Sequence, residues 1–234
     1  ILRNHVARIL VVSHRWETRD EPDGQGVQCC AIQSHLKAHP DLELVWYDYW
    51  CMPQGNRTAE EKTEFDRMLP EINLLYLGAS VLLIVDMSYV SRFWTQFEAW
   101  LSFMICTSDG LVPSQAEERR STVACIHNAP TYFAQLLIDL WSKTTSASAR
   151  EILAKPDVSV TNQRDKDIQL PKITEINERV QQMVESTPNV PVRPVASMQV
   201  YEEHLYSAKV FEQCELYEQM LEHIVFCARH APDG

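Results

Sequence analysis

Glycine is scarce in this chain, six in 234 residues, and neither a collagen-like period nor a low-complexity tract accompanies its twelve prolines. No internal repeat is visible. Lys and Arg form no stripe, and the net charge is −11 with a pI of about 5.2. That balance argues against duplex nucleic acid and an anionic membrane surface as partners. No apolar run is long enough to span a bilayer, and no signal-peptide pattern opens the chain. Neither a Gly-rich dinucleotide fingerprint nor a Walker loop occurs, which argues against a dehydrogenase or an NTPase. Cysteine is present, but no CxxC pair exists. The seven thiols are an odd count, with Cys29 and Cys30 adjacent. They read as reduced thiols in a cytoplasmic protein, not as a stapled scaffold. No His/Cys/Asp spacing makes a metal site, so neither metal nor cofactor is expected, and His14 and His127 read as satisfied polar residues. The chain opens without Met, and the expectation is a piece of a longer protein.

What the chain does have is apolar mass, 45% hydrophobic residues against 23% charged. This is enough for one sizeable core with an appended piece. Short apolar runs alternate with helical periodicity. "ARILVVSHRW" from Ala7, "LELVWYDYW" from Leu42, "SVLLIVDM" from Ser80 and "STVACIH" from Ser121 read as strands, with a fifth expected from Asp157 to Thr161. Helices are expected at "VQCCAIQSHLKAHP", stopped by Pro40, from Thr58 with a Thr58/Glu61 capping box, across "SYVSRFWTQFEAWLSFM", and at "TYFAQLLIDLW". Pro70 should kink or divide the second of these. "TTSASAREILAKPDVSV" reads as a connection, and an amphipathic helix starts at Pro171. The fold class that follows is α/β, a flavodoxin-like doubly wound parallel sheet of about five strands. Residues 1–190 form this domain, and residues 191–234 are expected as a C-terminal helical extension packed on it.

In such sheets, sites form at the carboxyl ends of strands. Those ends deliver His14, Arg15 and Trp16, then Asp48 and Trp50. The helix after the third strand carries a single acid, Glu98, in a stretch otherwise rich in aromatic and aliphatic residues. On a helical wheel Trp94, Phe97, Trp100, Leu101, Met104 and Ile105 fill one arc, while Thr95, Ala99 and Ser102 lie outside it. Glu98 falls at the margin, one turn after Trp94. A carboxylate between core and opening suits acid chemistry; the plain structural alternative is a boundary residue bonded to Arg92 or Arg15.

Three motifs resemble the Toll/interleukin-1 receptor (TIR) family. The first strand ends "VVSHRW", with Ser13 and Arg15 where that family has Ser-aromatic-Arg. Asp48 ends the second strand, and "CMPQG" follows it. "SYVSRFWTQFEAW" carries Trp94 and Glu98 at the spacing of the enzymatic members. The resemblance runs from about Arg8 to Trp141. It departs from the family in a longer, acidic first loop and in the tail from Ser197.

The resemblance implies an NAD+ glycohydrolase, acting in innate immunity or cell death, with Glu98 catalytic and NAD+ as substrate. His14, Arg15, Trp16, Asp48, Trp50, Ser91 and Trp94 are the candidate substrate contacts. Arg15 either contacts a phosphate or pairs with Asp48, and Ser91 is expected to cap the helix. The product is ADP-ribose or a cyclic form. Two alternatives stand beside it. One is a non-enzymatic module that self-associates through the loop from Trp50 to Arg57; the other is a nucleoside deoxyribosyltransferase-like N-glycosidase. Self-association through that loop is also expected of the enzyme.

Overall fold

The structure, a computed structural model, describes residues 6–186. The expected extension over residues 191–234 lies outside the described residues. Four parallel strands form the main sheet: β1 (Ile9–His14), β2 (Leu44–Trp46), β3 (Ser80–Val85) and β6 (Ser121–Cys125), in the order β2-β1-β3-β6. This is a flavodoxin-like doubly wound arrangement. Strand β1 sits centrally, in register with β2 (Val11 opposite Trp46) and with β3 (Ser13 opposite Leu83).

Helices cover both faces. On one side α1 (Val27–Ala38) packs on Leu10, Val12, Leu82 and Ile84. The larger core lies on the other face. There Ile9, Val11, Val81, Leu83 and Val85 meet α4 (Asn73–Gly78), α5 (Phe93–Ser102), α6 (Tyr132–Trp141), α7 (Ser146–Ala154) and α8 (Gln163–Ser186). The period-2 alternation of β1 therefore aims Ser13 at the α5 side and His14 at the α1 side.

Several elements differ from the sequence reading. The second strand is cut to three residues, and Asp48 heads a short helix, α2 (Asp48–Cys51). The capping box forms on α3 (Ala59–Met68), where Thr58 N–H donates to Glu61 at 2.8 Å and Glu61 N–H to Thr58 at 3.2 Å. Pro70 divides the helical stretch: α3 ends at Met68 and α4 begins at Asn73.

The expected fifth strand reduces to a single parallel bridge between Ser159 and Arg92. The Ser/Thr/Ala connection contains α7, whose N-terminus Thr145 caps by accepting from Ser148 N–H. Helix α8 starts at Gln163 and carries Pro171 inside it. The helix bearing Glu98 stops at Ser102, so Met104 and Ile105 belong instead to β4 (Met104–Thr107). This strand forms an antiparallel hairpin with β5 (Gly110–Pro113). Thr95, Ala99 and Ser102, outside the expected apolar arc, are buried as well. Helix α5 is enclosed nearly all round, which erases the one-sided pattern that marks a surface helix.

Candidate active site

Within α5 only Trp94 and Glu98 keep partial solvent access; every other residue of the helix is buried. They lie one turn apart on the same side. Glu98 thus keeps partial solvent access at the carboxyl end of β1, where the chain order reverses between β1 and β3. This switch point is where doubly wound sheets hold ligands.

The carboxyl of Glu98 is held by hydroxyls. Ser13 Oγ donates to Glu98 Oε2 at 2.6 Å, and Ser13 Oγ is in turn 2.6 Å from Tyr89 Oη. Tyr76 hydrogen-bonds the same carboxyl. With Ser13 donating to Glu98, its oxygen is open to accept from Tyr89, which makes a short relay. Among the described residues no cation pairs with Glu98, so the structural alternative of a bond to Arg92 or Arg15 is not realised.

Burial is the main influence on this group and pushes the Glu98 carboxyl well above its ordinary value. The Ser13 hydrogen bond opposes that, nearby Asp48 adds to it, and the Tyr76 hydrogen bond opposes it. Tyr76 and Tyr89 are likewise raised, by burial first and by the Glu98 charge second. Both phenols therefore stay protonated and remain donors.

A second cluster stands on the α1 side of β1. His14 Nε2 is 2.8 Å from Asp48 Oδ1, and Trp16 Nε1 donates to both oxygens of Asp48 at 3.1 and 3.0 Å. The His14 ring stacks on Tyr47 at 4.1 Å. Asp48 is thereby fixed with part of its carboxylate open. Arg15 does not pair with Asp48. It joins Asp86, just past β3, through Nε and Nη2 at 2.6 Å each, and Nη1 donates to the Trp16 carbonyl at 2.7 Å. Arg15 is a brace across the strand ends, since β1 register puts it beside Asp86.

Ser91 is not the helix cap. It is exposed, its hydroxyl donates to the Ser88 carbonyl, and α5 starts after Arg92 with no side-chain cap. His127, at a left-handed φ of 52°, meets Glu17 at 2.6 Å and ties the first loop to the end of β6.

Trp50 belongs to another surface. Its ring lies 4.6 Å from Tyr47 and lines a groove of about 380 Å³ in which Glu98 takes no part. Cys30, on α1, is exposed.

The structure therefore places Glu98 and Trp94 on one side of α5 and His14, Trp16 and Asp48 in a second group, which Arg15 borders through the Trp16 carbonyl and Trp50 borders through Tyr47, while Ser91 takes part in neither. Sequence reasoning missed Ser13, Tyr76 and Tyr89 as partners of the acid. Ser13 carried a signal, as the last inward-facing polar residue of an otherwise apolar strand. Tyr76 carried none, because a tyrosine in an apolar helical pattern reads as core.

No family model, curated protein or solved structure matches the chain.

Proposed function

We propose that this chain is a TIR-type enzyme that cleaves the bond between nicotinamide and ribose in NAD+, with Glu98 as its catalytic carboxylate. The observation that carries this reading is a carboxyl at the switch point, partly open to solvent and hydrogen-bonded by Ser13 and Tyr76, with no cation paired to it among the described residues. Burial favours the protonated form of a carboxyl so placed in the free protein. A cationic ring brought next to it favours the ionised form, and the Ser13 and Tyr76 hydroxyls are positioned to donate to that form.

The chemistry needs such a group. The bond from ribose C1′ to the pyridinium nitrogen breaks with its electron pair going to nicotinamide, which leaves as a neutral molecule. Positive charge develops on the ribose, as in glycoside hydrolysis. Ionised Glu98 accepts hydrogen bonds from ribose hydroxyls and offsets that charge. Water then adds to C1′ and gives up a proton, yielding ADP-ribose; attack by the adenine of the same molecule gives the cyclic product. Trp94 walls the cleft one turn before Glu98. Asp48, held by His14 and Trp16, adds negative potential at the same edge. Arg15 acts by fixing the strand ends through Asp86.

The test is release of nicotinamide from NAD+, followed by chromatography on concentrated protein. Glu98→Ala should retain its far-ultraviolet circular dichroism and release none. Release undiminished in that variant overturns the assignment.

A second reading, self-association through residues 50–57, is favoured by the exposure of Trp50, 56% of its surface. The segment is braced for contact: Arg57 Nε donates to the Pro53 carbonyl at 2.8 Å, and its guanidinium lies 3.6 Å over the Phe65 ring. The two readings are compatible, since assembly can complete an enzyme's cleft.

A further inference from the structure

We propose that the groove between the first loop and the segment after β2 is a binding site for a small methylated ammonium cation. The inference is independent of NAD+ cleavage: neither Glu98, Ser13 nor Trp94 lines this groove.

Its lining has a consistent chemistry. Three rings, Tyr47, Tyr49 and Trp50, and three acids, Asp20, Glu21 and Asp23, face a space of about 380 Å³; the remaining lining residues carry no charge and none is Lys, Arg or His. Asp23 is committed to the start of α1, accepting from Gln28 N–H at 2.9 Å and Cys29 N–H at 2.7 Å. Asp20 and Glu21 sit exposed at the rim. The charge field on the floor is negative: the Tyr47 phenol is pushed up by burial first, then by Asp48, Asp23 and Glu17.

The rings are braced before any ligand arrives. Tyr47 stacks on His14 at 4.1 Å and meets Trp50 at 4.6 Å. Tyr49 sits edge-on to Trp16 at 5.1 Å, and its hydroxyl donates to the Asp20 carbonyl at 2.8 Å. The Tyr47 hydroxyl donates to Gln28 at 3.2 Å.

Ring faces beside carboxylates attract cations. The methyl groups follow from what the floor lacks. The uncommitted acceptors, Asp20 and Glu21, are solvent-exposed, so a primary ammonium seated against the rings gives up hydration for few hydrogen bonds there. A methylated ammonium has no N–H to satisfy, and its methyl surface packs on Trp50 and Tyr49.

The experiment titrates choline into the full chain while following tryptophan fluorescence, with heat of binding as a second readout. The control ligand is 3,3-dimethylbutan-1-ol, the neutral carbon analogue of choline. Saturable binding of choline is expected, with the neutral analogue weaker by about tenfold, the size of a partly desolvated cation–ring contact. Trp50→Phe should retain binding. Trp50→Leu, which keeps apolar bulk and loses the ring, should weaken it by about tenfold, read as heat. Asp20→Asn with Glu21→Gln should weaken it by about threefold and reduce its salt dependence. No saturation by choline, equal binding of the neutral alcohol, or undiminished binding by Trp50→Leu each overturns the proposal.

Discussion

At the scale of single residues, the account turns on what it costs to keep Glu98 where it is. A carboxyl raised by burial holds its proton in the folded chain at pH values where the unfolded chain has lost it. The native state then binds more protons than the unfolded state above the ordinary value of 4.5, so stability falls as pH rises from there toward the raised native value. Glu98→Gln removes that cost. Chemical denaturation of the two proteins across pH 4.5 to 8 should show the variant gaining on the wild type as pH increases, with little difference at the acid end; a parallel pair of curves contradicts the burial argument. Ser13 tests the other half of the site. Its hydrogen bond opposes the rise, so Ser13→Ala lifts the Glu98 value further and removes a donor from the ionised form. We expect kcat for NAD+ cleavage to drop by about tenfold or more, the worth of a hydrogen bond to a charged group. The acid limb of the pH–rate profile should move to higher pH, a shift that a merely structural role for Ser13 does not produce.

At the scale of elements, the fold was largely legible and the joints were not. Strands β1 and β3 were readable because both faces of each are buried, leaving continuous apolar runs, while β6, at the sheet edge and partly exposed, showed itself as a short β-branched run. Helix α1 announced itself by its spacing, and α3 by its capping box. What escaped were elements whose reason lies in tertiary contacts. The hairpin of β4 and β5 is held by groups far away in sequence: Leu111 N–H donates to Asn177 of α8 at 2.9 Å. Arg120 spans the same region. It is buried, donates to the carbonyls of Ala79 and Met104 at 2.7 Å each, and so ties the end of α4 and the start of the hairpin to β6. Burial lowers the Arg120 value to about 10, which leaves the guanidinium charged and able to serve those carbonyls. Arg120→Ala strands them without partners and should cost about 3 kcal/mol or more in urea denaturation. Gly110 gives a second check. Its φ is 90°, and a Cβ there lies 2.7 Å from Asn177 Oδ1. Gly110→Ala combines backbone strain with a clash and should lower stability by about 1–3 kcal/mol in the same measurement. As for the site, Glu98 was legible as the one acid in an apolar helix. Its hydroxyl partners were not, since only the strand register and the packing of α4 bring Ser13 and Tyr76 to it.

At the scale of the whole molecule, two chemistries share one sheet edge. The α5 side of β1 carries the Glu98 carboxyl and its hydroxyls; the α1 side carries Asp48 and the ring-lined groove. Alternation along β1, with Ser13 to one face and His14 to the other, is what keeps them apart. No helix among the described residues is long and apolar enough to cross a membrane. In segment 50–57 Trp50, Gly55 and Asn56 are exposed while Cys51 and Met52 pack into the core. If association through this segment completes the cleft, specific activity rises with protein concentration, and Pro53→Asp should lower both the light-scattering mass and the activity while leaving the monomer folded. The central claim is the role of Glu98, and the most direct measurement compares wild type with Glu98→Ala at high protein concentration, following the anomeric proton of the NAD+ nicotinamide riboside by nuclear magnetic resonance. The account predicts that this signal decays with wild type as free nicotinamide appears, and that it persists unchanged with the variant. Equal decay in both, or none with concentrated wild-type protein, contradicts it.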